Sequence, residues 1–117
     1  MRDEEKARDA CRLLLEVCDT LTSFAARGQE HFTAEVQARW AVEMGLIRVG
    51  ETVNRIPPSV LSRFPEQPWR QIIGMRNFAA HQYDDLDPGR VWRTLTTDVP
   101  GLRNYVADVI LPALEAE

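Results

Sequence analysis

Four residues in the stretch 68–86 carry side chains suited to chemistry: Arg76, Asn77, His81 and Tyr83. A fixed cation, an amide, an imidazole that titrates near neutral pH and a phenol suit the handling of a phosphodiester. The cation holds phosphate charge and the imidazole moves a proton. Setting these four into an otherwise apolar helical stretch is costly for packing alone. Successive residues of an α-helix are turned by about 100°, so Arg76 and Tyr83 lie about 20° apart and Asn77 sits one turn before His81. Arg76 and His81 are about 140° apart on the same geometry. They reach one small group only if the helix end unwinds or a second copy completes the site, and an isologous contact that pairs this helix with its twin does the second. The expected site is composite and lies at a dimer interface.

The helix that must hold these residues starts at Pro68, whose missing N–H is tolerated in the first turn. Ile72, Met75, Ala79 and Tyr83, with Ile73 and Ala80 beside them, give it a core-facing stripe. Its C-terminal end falls near His81, where the negative end of the helix dipole favours a protonated imidazole. Upstream, Ala7, Cys11, Leu14, Cys18, Leu21 and Ala25 mark a long amphipathic helix over 3–26, with Gly28 as its C-cap. A second helix is expected from Thr33, with Glu35 in its first turn and Val36, Trp40, Met44 and Ile47 as its core stripe. Gly45 and Gly50 cost helix propensity, which suggests close approach of another helix. Pro57-Pro58 ends that helix. Trp69 and Phe64 read as packing residues. Downstream, Asp87 caps a helix that Pro88 opens, with Val91, Trp92, Leu95 and Val99 on its inner face. Pro100 is expected to bend or restart the helix before a last stripe of Leu102, Val106, Val109, Ile110 and Ala113, with a kink at Pro112. The fold class is all-α: an antiparallel four- to five-helix up-and-down bundle, one domain over 1–117.

Composition narrows the function. A length of 117 residues and 44% hydrophobic content fit one folded core. No apolar run reaches about 18 residues, and the charged start lacks a signal-type core, so the expected location is cytoplasmic. Cys11 and Cys18, seven apart on one helix, lie about 10 Å apart along its axis and cannot bridge. Buried reduced thiols are expected. With His31 and His81 far off in sequence and His31 read as a loop residue, no zinc spacing exists and no metal or cofactor is implied. The net charge of −4 argues against binding of nucleic acid by bulk electrostatics but does not exclude a small nuclease. Lys6 is the only lysine in the sequence, and Arg63, Arg70, Arg76, Arg90 and Arg93 flank or lie within the central third. Local attraction for phosphate is expected.

Arg76, four residues, His81, one residue, Tyr83 resembles the Arg-X4-His-X-Tyr motif of the HepT-like branch of the HEPN superfamily, small all-helical toxins paired with nucleotidyltransferase antitoxins. The flanks resemble that branch as well. They are Gly50 and Glu51 upstream, Pro68-Trp69-Arg70-Gln71-Ile72-Ile73-Gly74-Met75-Arg76-Asn77 leading in, and Val91, Trp92, Thr94, Asp98, Pro100 and Leu102 following. The resemblance implies a metal-independent endoribonuclease acting on RNA in a homodimer, with Arg76 and His81 catalytic, Asn77 and Tyr83 supporting, and a 2′,3′-cyclic phosphate product. It further implies that Tyr83 accepts AMP from the partner transferase. A plainer alternative pairs Arg76 with a carboxylate such as Glu51, leaves His81 capping helix carbonyls and makes Tyr83 a packing residue. The turn Asp84–Asp87 then reads as a cap and a solvated face. Phe78-Ala79-Ala80 stands where such proteins often carry bulkier aliphatics, so a second class of function is a non-catalytic helical dimer that only binds a transferase.

Overall fold

Apolar residues three and four apart wind the N-terminal region into one long helix, α1 (Asp3–Ala25), in the computed structural model of the chain. It describes residues 2–81 and 87–116 and, at 78–81, the backbone alone. Asp3, Glu4 and Glu5 occupy the first turn, where negative charge is favoured. Ala7, Cys11, Leu14, Cys18 and Leu21 are buried along one face. The cap is Ala26 rather than Gly28. Gly28, at φ 92, instead takes the left-handed conformation that turns the chain into α2 (Gln29–Ala34). His31 thus sits on a short helix and not in a loop. Both cysteines are free and buried. Burial pushes the Cys11 thiol up to about 11 and that of Cys18 up to about 12, so both stay protonated at neutral pH.

The second long helix, α3 (Val36–Asn54), starts three residues later than the sequence suggests, because Glu35 is extended and Thr33 belongs to α2. Its inner face also differs from the expected one. Ala38, Val42, Leu46, Val49 and Val53 are buried, whereas Val36, Trp40 and Met44 are exposed. Both sets have helical spacing, so α3 carries two apolar stripes. The smaller residues face inward because α1 and α5 approach closely there. An added Cβ at Gly45 would lie 2.3 Å from Leu21 Cδ2.

Pro57-Pro58 separates α3 from the single turn α4 (Pro58–Leu61). Helix α5 (Trp69–His81) follows one residue after Pro68, whose carbonyl accepts from Ile72 N at 3.0 Å. Trp69 is half-buried, and its Nε1 donates to the Phe64 carbonyl at 2.8 Å. Both rings meet Tyr105 edge-on, at 6.4 and 6.5 Å. These contacts pin the start of α5 to the C-terminal part of the chain.

Asp87 caps α6 (Pro88–Arg93) through Gly89 N, at 2.9 Å, and Pro88 opens it. The helical path then continues without a restart through Thr94–Asp98, α7 (Val99–Tyr105), Val106–Ile110 and α8 (Leu111–Glu115). Pro100 and Pro112 each follow a π-helical turn, at Thr94–Asp98 and Val106–Ile110. The wider turn relieves the clash of the proline ring with the preceding carbonyls and lets the residue before it stay helical. Leu95, Val99, Leu102, Val106, Ile110 and Leu114 are buried, while Val109 is exposed. Arg103 to Asp19 at 3.1 Å and Arg12 to Glu115 at 3.2 Å link this run to α1. Such exposed pairs add at most about 1 kcal/mol each, so the shared core holds the elements and the pairs set register. The architecture is an all-α bundle, with no strand among the described residues. No helix among them is long and apolar enough to cross a membrane.

Candidate active site

The position of α5 is set by Gly50 on α3. A Cβ there would lie 2.9 Å from Arg76 N, 3.0 Å from Arg76 Cβ and 3.0 Å from Ile73 O. The two backbones touch at this point, and α3 is the main packing partner of α5. The next residue on α3, Glu51, therefore faces the next side chain on α5. Arg76 Nη1 lies 3.4 Å from Glu51 Oε1.

This pair is the interhelical contact that the plainer reading of the sequence anticipates, yet it leaves the guanidinium available. The Arg76 side chain is 31% exposed and that of Glu51 is 49%. A pair so solvated is worth about 0–1 kcal/mol. Glu51 therefore orients Arg76 without consuming its capacity to bind an anion. Asn77, the following residue, is exposed.

His81 is the last described residue of α5. The helix stays wound from Arg76 to His81, so their Cα atoms are separated by about 7.5 Å of rise and about 140° of turn. Tyr83, like Asp84 and Asp85, lies outside the described residues. So do the side chains of Phe78, Ala79, Ala80 and His81. Among the described residues, no group of His, Cys, Asp and Glu is arranged to hold a metal ion.

A groove of about 830 Å³ lies on another side of α5, with Gln71, Ile72 and Met75 on one wall and Arg90, Thr94 and Thr97 on the other. Neither Arg76 nor Asn77 lines it. Arg76 and Asn77 therefore lie on the surface beside Glu51 and outside this groove. The five arginines named above, which flank or lie within the central third, are divided: Arg70 and Arg76 on α5, Arg90 and Arg93 on α6, and Arg63 after α4, over the Phe64 ring at 5.7 Å. The exposed apolar stripe of α3, which runs toward Glu51, is the neighbouring feature that periodicity misassigns to the core.

With α5, its Gly50 contact and the Arg76–Glu51 pair established, comparison with known proteins is informative. The pattern of the family described as "Ribonuclease HepT-like" matches residues 14–109. The chain belongs to the HepT-like ribonuclease family. Among its relatives, a Methanocaldococcus jannaschii protein named as a candidate RNase is 29% identical over 98 residues, covering 83% of this chain and 81% of its own. A Thermococcus cleftensis protein named as a probable ribonuclease HepT is 32% identical over 74 residues, covering 63% of this chain and 67% of its own. No solved structure gives a significant match. The family match includes Gly50, Glu51 and the whole of α5.

The Gly50 contact is directly testable. Gly50→Ala is expected to lower unfolding free energy in urea by about 1–3 kcal/mol, because the added carbon meets backbone that cannot rotate away. Gly101→Ala, at a helical position where an added Cβ would meet nothing within 4 Å, is expected to raise it by about 0.5–1 kcal/mol. Equal stabilisation by both substitutions would contradict the close approach.

Proposed function

We propose that the chain is the ribonuclease component of a toxin–antitoxin pair: a metal-independent endoribonuclease whose site is completed in a homodimer. The observation that carries this reading is the unbroken winding of α5 from Arg76 to His81. Winding of the helix as far as His81 favours a second copy over an unwound helix end as the way to bring these groups onto one phosphate.

RNA brings its own nucleophile. In the proposed reaction one neutral His81 imidazole accepts the proton of the 2′-OH as the 2′-oxygen bonds to phosphorus. The bond from phosphorus to the 5′-oxygen breaks, and that oxygen takes its proton from a protonated His81, of the same chain or of the twin. The products are a 2′,3′-cyclic phosphate and a 5′-hydroxyl. Arg76 stabilises the extra charge on the pentavalent phosphorane with charge-assisted hydrogen bonds. Glu51 holds Arg76 in line and Asn77 orients the phosphate. Tyr83 hydrogen-bonds phosphate or stacks on a base. With a net charge of −4 on the chain, RNA is proposed to be attracted locally, by arginines such as Arg76, and not by the chain as a whole.

The partner proposed for regulation is a nucleotidyltransferase antitoxin, and the action is proposed to be cytoplasmic. AMP transferred to the Tyr83 hydroxyl, with loss of pyrophosphate from ATP, adds a phosphate that can dock on Arg76 and exclude RNA.

Cleavage of RNA in EDTA, followed by mass spectrometry of the fragment ends, tests the catalytic reading. The parent protein is expected to cleave and leave cyclic phosphate, and folded His81→Ala to lose at least about 100-fold in rate. Undiminished cleavage by that variant would refute the assignment, and an inactive parent that still binds a transferase would make the chain a non-catalytic module. For regulation, incubation with the cognate transferase and ATP is expected to increase intact mass by adenylyl units. Tyr83→Phe should abolish the increase, and an increase that survives this substitution would place the modification elsewhere.

A further inference from the structure

The residues that flank the Arg76 motif take no part in the chemistry above, yet several of them meet around one space. Gln71, Gly74 and Met75, from the run that leads into Arg76, line the groove of about 830 Å³ together with Thr94, Asp98 and Leu102, from the run that follows. A space of that size is in the range of sites that take a small molecule.

The walls are built to leave it open. Gly74 on α5 and Gly101 on α7 both border the groove, and an added Cβ at either would meet nothing within 4 Å. Glycine inside a helix costs helix propensity, and here no described neighbour needs the room. The room is available to a ligand. Across from α5 the wall includes the π-helical turn Thr94–Asp98, a departure from α-geometry of the kind that recurs at functional sites.

The lining selects the occupant. Among the described residues its charged groups are Asp87, Arg90 and Asp98, so carboxylates outnumber cations and phosphate is not attracted into it. Ile72, Met75 and Leu102 offer apolar surface to a flat ring. Gln71, Thr97 and Asp98, all exposed, offer an amide, a hydroxyl and a carboxylate to its edge. A neutral nucleobase uses all of these, and a carboxylate in particular accepts from an exocyclic amine.

Position links the groove to the bond proposed to be cut. His81 follows Gly74 by seven residues of α5, so their Cα atoms are about 10.5 Å apart along the axis and only about 20° apart around it. A few stacked nucleotides, at about 3.4 Å each, span that separation.

We infer that the groove between α5 and the Thr94–Asp98 turn is a base-selecting subsite for single-stranded RNA, which takes an unpaired base bearing an exocyclic amine, a few nucleotides from the scissile phosphate. Asp98 accepts from the amine, Gln71 and Thr97 meet the rest of the edge, and Met75 lies against the ring. Uracil, with a carbonyl in place of the amine, is disfavoured. The inference rests on the ribonuclease reading above and supplies its sequence preference.

Binding and cleavage, both on the full chain, test the two separately. In the His81→Ala chain, fluorescence anisotropy with labelled oligocytidylate and oligouridylate, which differ at the amine, is expected to show roughly 10-fold tighter binding of cytosine. Gly74→Leu, which fills the groove, is expected to abolish the difference, and so is Asp98→Ala, which guards against failure of the leucine variant to fold. Equal affinity for the two RNAs before these substitutions would overturn the inference, as would a preference that survives both. If the preference survives and only transferase binding is lost, the groove belongs to the transferase. In randomised RNA cut by the parent, uracil is expected to be depleted at a position near the cut, and Asp98→Ala to remove the depletion. Cutting without depletion would overturn the subsite and keep the nuclease. A parent that prefers cytosine yet cuts nothing would keep the groove as an RNA site and overturn the nuclease reading instead.

Discussion

The backbone contact between Gly50 on α3 and residues 73–76 on α5 is the constraint on which the site depends. It places two helices at a distance that no side chain at position 50 would permit. Everything local then follows from helical geometry. Glu51 is one residue beyond the contact and Arg76 is at it, so a carboxylate and a guanidinium must face each other. The pair is open to solvent, which keeps it weak. A glycine, with no side chain of its own, thus fixes the direction of the residue with the strongest claim to chemistry.

The second constraint is the integrity of α5. A helix that holds Arg76 and His81 five residues apart also holds them on different sides. In one chain, the better the helix is formed, the less able these groups are to meet. In the proposed homodimer, symmetry reconciles order in α5 with cooperation between the two groups, since the twin chain brings a second arginine and a second histidine along the same edge.

Much of this is legible in the sequence wherever a residue acts through its own backbone. Pro68 and the Asp87-Pro88 cap mark helix starts to within about one residue, and Pro57-Pro58 follows the end of α3 at Asn54 by three, since proline and a capping carboxylate act locally. Gly45 and Gly50 are readable as close approaches because glycine inside a helix has few other reasons to be there. Sequence misleads where tertiary context decides. Val36, Trp40, Met44 and Ile47 have the periodicity of a core face, but so does the inner set from Ala38 to Val53. Periodicity gives the existence of a stripe and not the side on which neighbours pack. Pro100 and Pro112 point to a break or kink in a helix that instead continues through widened turns, a solution available only where the flanking Leu95, Val99, Ile110 and Leu114 are anchored in the core. The pairing of Arg76 with Glu51 is visible in the chain as one alternative, but its solvent exposure, which decides whether Arg76 remains available, is a property of the packed helices alone.

The central claim is that each site takes its groups from two chains, and mixing two inactive variants measures it most directly. Arg76→Ala and His81→Ala, each purified, are unfolded together, refolded together and assayed for RNA cleavage against each variant refolded alone. If the arginine of one chain works with the histidine of the other, a random mixture holds half mixed dimers with one intact site each, and activity returns to about one quarter of the parent level. If the two groups act within one chain, no mixed dimer contains an intact set, and a mixture as inactive as its components would contradict the account.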